Sequence, residues 1–79
     1  MKTGDMVRWK DTIGIDYLHG DFDSKYNFSG PKITFKLSQV GIIIESKIDV
    51  TLHPYPTYHK LLTPNGIGWA RESYLEAVK

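Results

Sequence analysis

Cysteine is absent from the 79-residue chain. That excludes a disulfide staple, a cysteine-based zinc site and a cysteine nucleophile. Long apolar runs are missing too, since the most apolar stretch, 40–44, is interrupted by Gly41. Nothing there is long enough for a membrane span or the apolar part of a secretion signal. Charge bias is equally weak: ten Lys+Arg face nine Asp+Glu, a formal net charge of +1. Dedicated nucleic-acid binders usually carry a stronger basic excess, because phosphate neutralisation dominates their affinity. No stretch of 10–15 residues keeps a helical period, and neither a repeat nor a linker divides the chain. One domain over 1–79, with no membrane partner, is the expectation.

What is present reads as β-structure. The hydrophobic fraction of 41% and aromatic fraction of 13% belong to an ordinary folded domain rather than a disordered chain. After the turn signal Gly4-Asp5, Val7 and Trp9 alternate with Arg8 and Lys10, a first strand. Residues 11–31, punctuated by Gly14, Gly20 and Gly30, read mainly as a long loop excursion with room for one short hairpin. Ile33, Phe35 and Leu37 then share one face of a strand over 32–37. The β-branched run 40–48 is the strongest strand signal, with Val40, Ile42, Ile44 and Ile48 facing the core. Pro54 and Pro56 make the stretch 51–57 a loop, and a strand resumes at 58–62. Thr63-Pro64-Asn65-Gly66 is a hairpin turn, of type I with a glycine bulge, leading to a strand with Ile67 and Trp69 on one face. Arg71-Glu72-Ser73 has room for one helical or 3₁₀ turn before a last short strand over 75–78. The fold class is therefore all-β: a small barrel of five to six short antiparallel strands with one long loop excursion, 11–31.

The opening Gly4-Asp5-Met6-Val7-Arg8-Trp9 with the later Val40-Gly41-Ile42-Ile43-Ile44-Glu45 resembles the first hairpin of SH3-like and KOW-like barrels. The closing Gly68-Trp69-Ala70-Arg71-Glu72-Ser73-Tyr74-Leu75-Glu76 resembles the end of an SH3 domain, where a 3₁₀ turn precedes a tyrosine and a short final strand. Together these segments cover 21 of the 79 residues, about a quarter of the chain. Peptide-binding SH3 domains also carry an Ala-Leu-Tyr-Asp-Tyr-type segment and a proline before the terminal turn. Here Gly14-Ile15-Asp16-Tyr17-Leu18 and Arg71 stand instead. The resemblance thus implies an SH3-like barrel and carries over one residue, Tyr74, as a groove-lining aromatic. The whole pattern is also similar to small proteins of tailed phages, which implies a location in the host cytoplasm or on the virion.

Candidate chemistry is sparse. Asp11, Asp16, Asp21 and Asp23 fall within thirteen residues free of Lys and Arg. Lys25 and the lack of a following glycine and distal glutamate break a calcium-loop pattern, so a solvated acidic loop is expected. His19, His53 and His59 match no zinc spacing. Ser24, Ser29, Ser38, Ser46 and Ser73 lie in no nucleophile elbow, and Gly66-Ile67-Gly68 precedes no helix that would bind an anion. No enzyme, metal or cofactor is expected. Trp9 and Trp69 read as core. Tyr17, Tyr26, Phe28, Tyr55, Tyr58 and Tyr74 exceed what so small a core holds, and exposed tyrosines are common interface anchors. The leading expectation is a non-catalytic module that binds a protein partner or itself through Tyr55, Tyr58, Tyr74 and Tyr17. The alternative is a nucleic-acid-binding barrel whose Arg8, Lys10, Lys36 and Lys60 touch phosphates.

Overall fold

A computed structural model describes residues 1–23 and 27–78. Tyr26, one of the surplus aromatics, lies outside the described residues, as do Ser24 and Lys25. The chain forms β1 (Met6–Trp9), β2 (Tyr17–Phe22), β3 (Phe28–Thr34), β4 (Gly41–Ile48), β5 (Thr57–Thr63), β6 (Gly66–Arg71), a 3₁₀ turn (Glu72–Tyr74) and β7 (Leu75–Ala77). All strands join one antiparallel sheet in the order β3-β2-β6-β5-β4-β1-β7, which is not closed.

Local chemistry explains the hairpin between β5 and β6. Thr63 Oγ1 donates to the Gly66 carbonyl at 2.8 Å and accepts the Asn65 N–H at 3.3 Å. Gly66 sits at φ +133°, a conformation other residues rarely adopt. At the other end, the Lys10 N–H donates to the Tyr74 carbonyl (2.9 Å), and β7 pairs with β1 as Trp9↔Leu75 and Val7↔Ala77. The first and last strands are thereby neighbours.

The main core gathers Val7, Trp9, Leu18, Phe35, Ile43, Leu61, Ala70 and Leu75. Trp9 is fixed in it by donating its indole N–H to the Phe35 carbonyl at 2.6 Å, which satisfies the one polar atom it buries. Three expected core residues instead face solvent: Ile42, Ile44 and Ile67 are 40%, 38% and 43% exposed, whereas Ile43 is fully buried. For Ile42 and Ile44 the cause lies at Gly41. A Cβ there would stand 3.3 Å from Thr63 Cγ2 and 3.4 Å from Leu61 Cβ, so Gly41 occupies the inward position and Ile43 follows it. A register irregularity between Ile43 and Glu45 then breaks simple alternation, and Ile48 is exposed as well. Leu37 is likewise exposed, because β3 ends at Thr34 and Phe35 enters the core from beyond it.

The excursion 11–31 is the larger correction. It holds β2 and the start of β3, which pair as Tyr17↔Thr34 through Phe22↔Phe28 and raise the strand count to seven. Gly20 and Gly30 belong to this hairpin, while Gly14 lies in the loop before it. A Cβ on Gly20 would lie 2.9 Å from Pro31 Cδ, beside a register irregularity between His19 and Asp21. Beyond that irregularity, Phe22 packs on Tyr58 (ring centroids 4.6 Å apart) and Trp69 (5.0 Å), with Phe28 at 5.1 Å. A second, aromatic core therefore covers part of the opposite sheet face.

Candidate functional site

A cleft of about 510 Å³ opens between the β4–β5 loop and the 3₁₀ turn, with Lys10, Tyr55, Arg71, Glu72, Ser73 and Leu75 in its wall. The loop is held at its base. The Asp49 N–H donates to the Pro56 carbonyl at 2.9 Å, closing the loop. Asp49 Oδ1 accepts the Thr51 N–H at 2.9 Å and the Thr51 hydroxyl at 2.5 Å. Pro56 is buried, while Tyr55 is 59% exposed with its ring edge-on to His53. An aromatic side chain thus stands at the cleft on a loop that is closed at its base.

The opposite wall carries charge. Glu72 Oε1 lies 2.9 Å from His59 Nε2 and 3.9 Å from the Met1 amine. Lys10 and Arg71 pair with no carboxylate among the described residues. Two residues before Lys10, Arg8 does find a partner, Glu76 at 3.1 Å.

His59 continues the hydrogen bonding inward, with Nδ1 2.6 Å from Ser46 Oγ. Serine, histidine and carboxylate in series are the parts of an activated nucleophile. Their placement favours a structural role. The imidazole is wholly buried, Ser46 lines neither this cleft nor the smaller one below, and Ser46 and His59 are cross-strand partners. The chain satisfies a polar ring enclosed by β4 to β6. The burial of His59 is a departure, since a histidine among polar strand neighbours is ordinarily at the surface or half-buried. Its parity with Leu61 on β5 was the signal that it points inward.

The four tyrosines do not form one surface. Tyr55 belongs to the large cleft, whereas Tyr17 and Tyr74 line a small one of about 50 Å³ with Trp9, His19, Phe28 and Trp69. Arg71 borders both. Tyr58 is buried in the aromatic core. Lys47 sits 5.3 Å and Lys60 6.0 Å from the Trp69 ring centre, and Lys32 lies 4.5 Å from that of Tyr17, so lysine heads flank this aromatic face. Within it, His19 stacks on Phe28 at 4.6 Å. Burial, then the Lys32 ammonium, holds its pKa below the ordinary 6.5.

The four cations of the nucleic-acid alternative are dispersed. Arg8 is on β1 against Glu76, Lys10 is in the large cleft, Lys36 lies in the β3–β4 connection, and Lys60 is on β5 beside Trp69. Among the described residues no three His, Asp or Glu side chains gather as a metal site, and no helix is long and apolar enough to cross a membrane. One exposed apolar feature has no counterpart in the sequence reading. Met6, Ile42, Leu62 and Ile67 are successive cross-strand partners on β1, β4, β5 and β6, all of them exposed. Comparison with protein families, curated proteins and solved structures finds no match to the chain.

Proposed function

We propose that the chain is a non-catalytic interaction module that holds a peptide segment of a protein partner in the cleft beside Tyr55. The observation that carries this is the exposed Tyr55 ring on a loop closed by the Asp49–Pro56 hydrogen bond, next to about 510 Å³ of open cleft. Aromatic anchors on rigid backbone bind at low entropic cost and dominate many interfaces. We also read the curled sheet as SH3-like, on the strength of the 3₁₀ turn running into a last strand that pairs with the first.

Tyr55→Ala tests the reading. Loss of a moderate hot spot weakens partner binding by about 1–3 kcal/mol while the fold stands, because the residue lies on a loop. Unchanged capture of the partner from the native host by Tyr55→Ala overturns it. Self-assembly is the second reading, favoured by the row Met6–Ile42–Leu62–Ile67. A contiguous exposed apolar strip is a feature of association surfaces. Concentration-dependent sedimentation that Leu62→Lys abolishes would select it. Nucleic-acid binding would appear instead as affinity falling with salt at a log–log slope near −0.7 per phosphate contact on single strands, insensitive to Tyr55→Ala.

A further inference from the structure

Resting on that reading and deepening it, we infer that the segment held beside Tyr55 is acidic, with a carboxylate taken between Lys10 and Arg71. Among the described residues the cleft wall contains one carboxylate, Glu72, and it lies 2.9 Å from His59 Nε2 and 3.9 Å from the Met1 amine. Among the described residues neither Lys10 nor Arg71 forms an ion pair with Glu72 or with another carboxylate. The chain as a whole carries only +1, so this local excess does not follow from a generally basic surface. Nor does the fold lack means to neutralise a neighbouring cation, as Arg8, two residues before Lys10, demonstrates with Glu76.

The positions suit a peptide acid. The guanidinium of Arg71 offers a planar fork that matches a carboxylate, and Lys10 adds a point charge. The hydroxyls of Thr57 and Ser73 are further donors in the same wall. Pro54 and Tyr55 supply an apolar surface for the side chain next to the acid. The ligand class is thus a short segment with Asp or Glu adjacent to an apolar residue.

The probe is an end-blocked Glu-Leu-Glu-Glu-Leu-Glu peptide, with its Gln-Leu-Gln-Gln-Leu-Gln counterpart and inorganic phosphate as comparisons. Amide shifts of the full chain report where each binds. The acidic peptide should move Lys10, Tyr55, Arg71 and Ser73 and bind about tenfold more tightly than the glutamine peptide, since exposed ion pairs contribute modestly. Lys10→Gln with Arg71→Gln should remove that preference and leave the unfolding midpoint in place. Equal binding of both peptides, still sensitive to Tyr55→Ala, overturns the acidic assignment and leaves the peptide-binding reading standing. Acidic binding that survives the double substitution, or that moves Lys32, Lys47 and Lys60 instead, overturns it by placing the site elsewhere. Phosphate matching the peptide at the same amides reduces it to simple anion capture and overturns the peptide class. Neither peptide moving the cleft amides defeats both readings.

Discussion

Ile42, Ile43 and Ile44 differ in nothing but position, yet only Ile43 enters the core. Truncating it removes wholly buried methyl groups and leaves a cavity beside Leu61 and Val7, so Ile43→Ala should cost about 2–5 kcal/mol. Ile42→Ala, on the exposed side, should cost about 0.5 kcal/mol. Urea denaturation of the two variants checks this, and equal losses would place the inward face wrongly. His59 makes a parallel case for polar burial. Ser46→Ala or Glu72→Ala strands one nitrogen of a ring that water does not reach, at about 1–3 kcal/mol each. A loss under about 0.3 kcal/mol in the same measurement would mean the ring is solvated after all.

At the scale of elements, the β2–β3 hairpin shows how close packing selects glycine. Gly68 on β6 faces β2 with no room for a side chain, since a Cβ would lie 2.6 Å from Leu18 Cβ. Gly68→Ala should therefore push β2 away from β6 and cost about 1–3 kcal/mol by overpacking, readable by thermal or chemical denaturation. His19, opposite Trp69 on the same pair of strands, gives the hairpin a pH dependence. Its folded pKa lies below the unfolded one, so below about pH 6.5 the unfolded chain binds more protons and stability declines as pH falls toward the folded value. The unfolding free energy of the wild type should drop between about pH 7.5 and 5.5 by more than that of His19→Gln. Parallel curves would remove the effect. Elements whose cause is local were readable from sequence: the Pro64-Asn65-Gly66 turn, the 3₁₀ turn and the closing strand. The β2–β3 hairpin was legible only as room for a short hairpin inside a long loop. Gly20 and Gly30 answer to Pro31 and Asp21 across space, and in sequence they look like loop punctuation. The cleft was half legible. Tyr55 between two prolines announced itself, whereas Arg71 and Glu72 meet it only through the pairing of β5, β6 and the turn.

For the molecule as a whole, the division into two cores on opposite sheet faces sets how it should come apart. The main core ties β1, β4, β5, β6 and β7 together, with Leu18 and Phe35 entering it from the β2–β3 region. Phe22 and Phe28 hold the far end of the hairpin to Tyr58 and Trp69, on the opposite face from that core. A domain of this size has a total stability of only about 5 kcal/mol. Losing a well-buried Phe35 by Phe35→Ala, at about 3–5 kcal/mol, should therefore unfold it globally. Phe22→Ala also removes a nearly buried ring, but its contacts serve one hairpin end. The end of the hairpin can open while β4, β5 and β6 keep their ladders, so the damage should stay local. Native-state hydrogen exchange separates the two outcomes. In Phe22→Ala, amides of β2 beyond Gly20 and of the start of β3 should lose protection, with Leu61, Ala70 and Ile43 exchanging close to wild-type rates. Uniform loss of protection across β4 to β6 would show the aromatic cluster to be part of one cooperative core, not a clasp on its outer face.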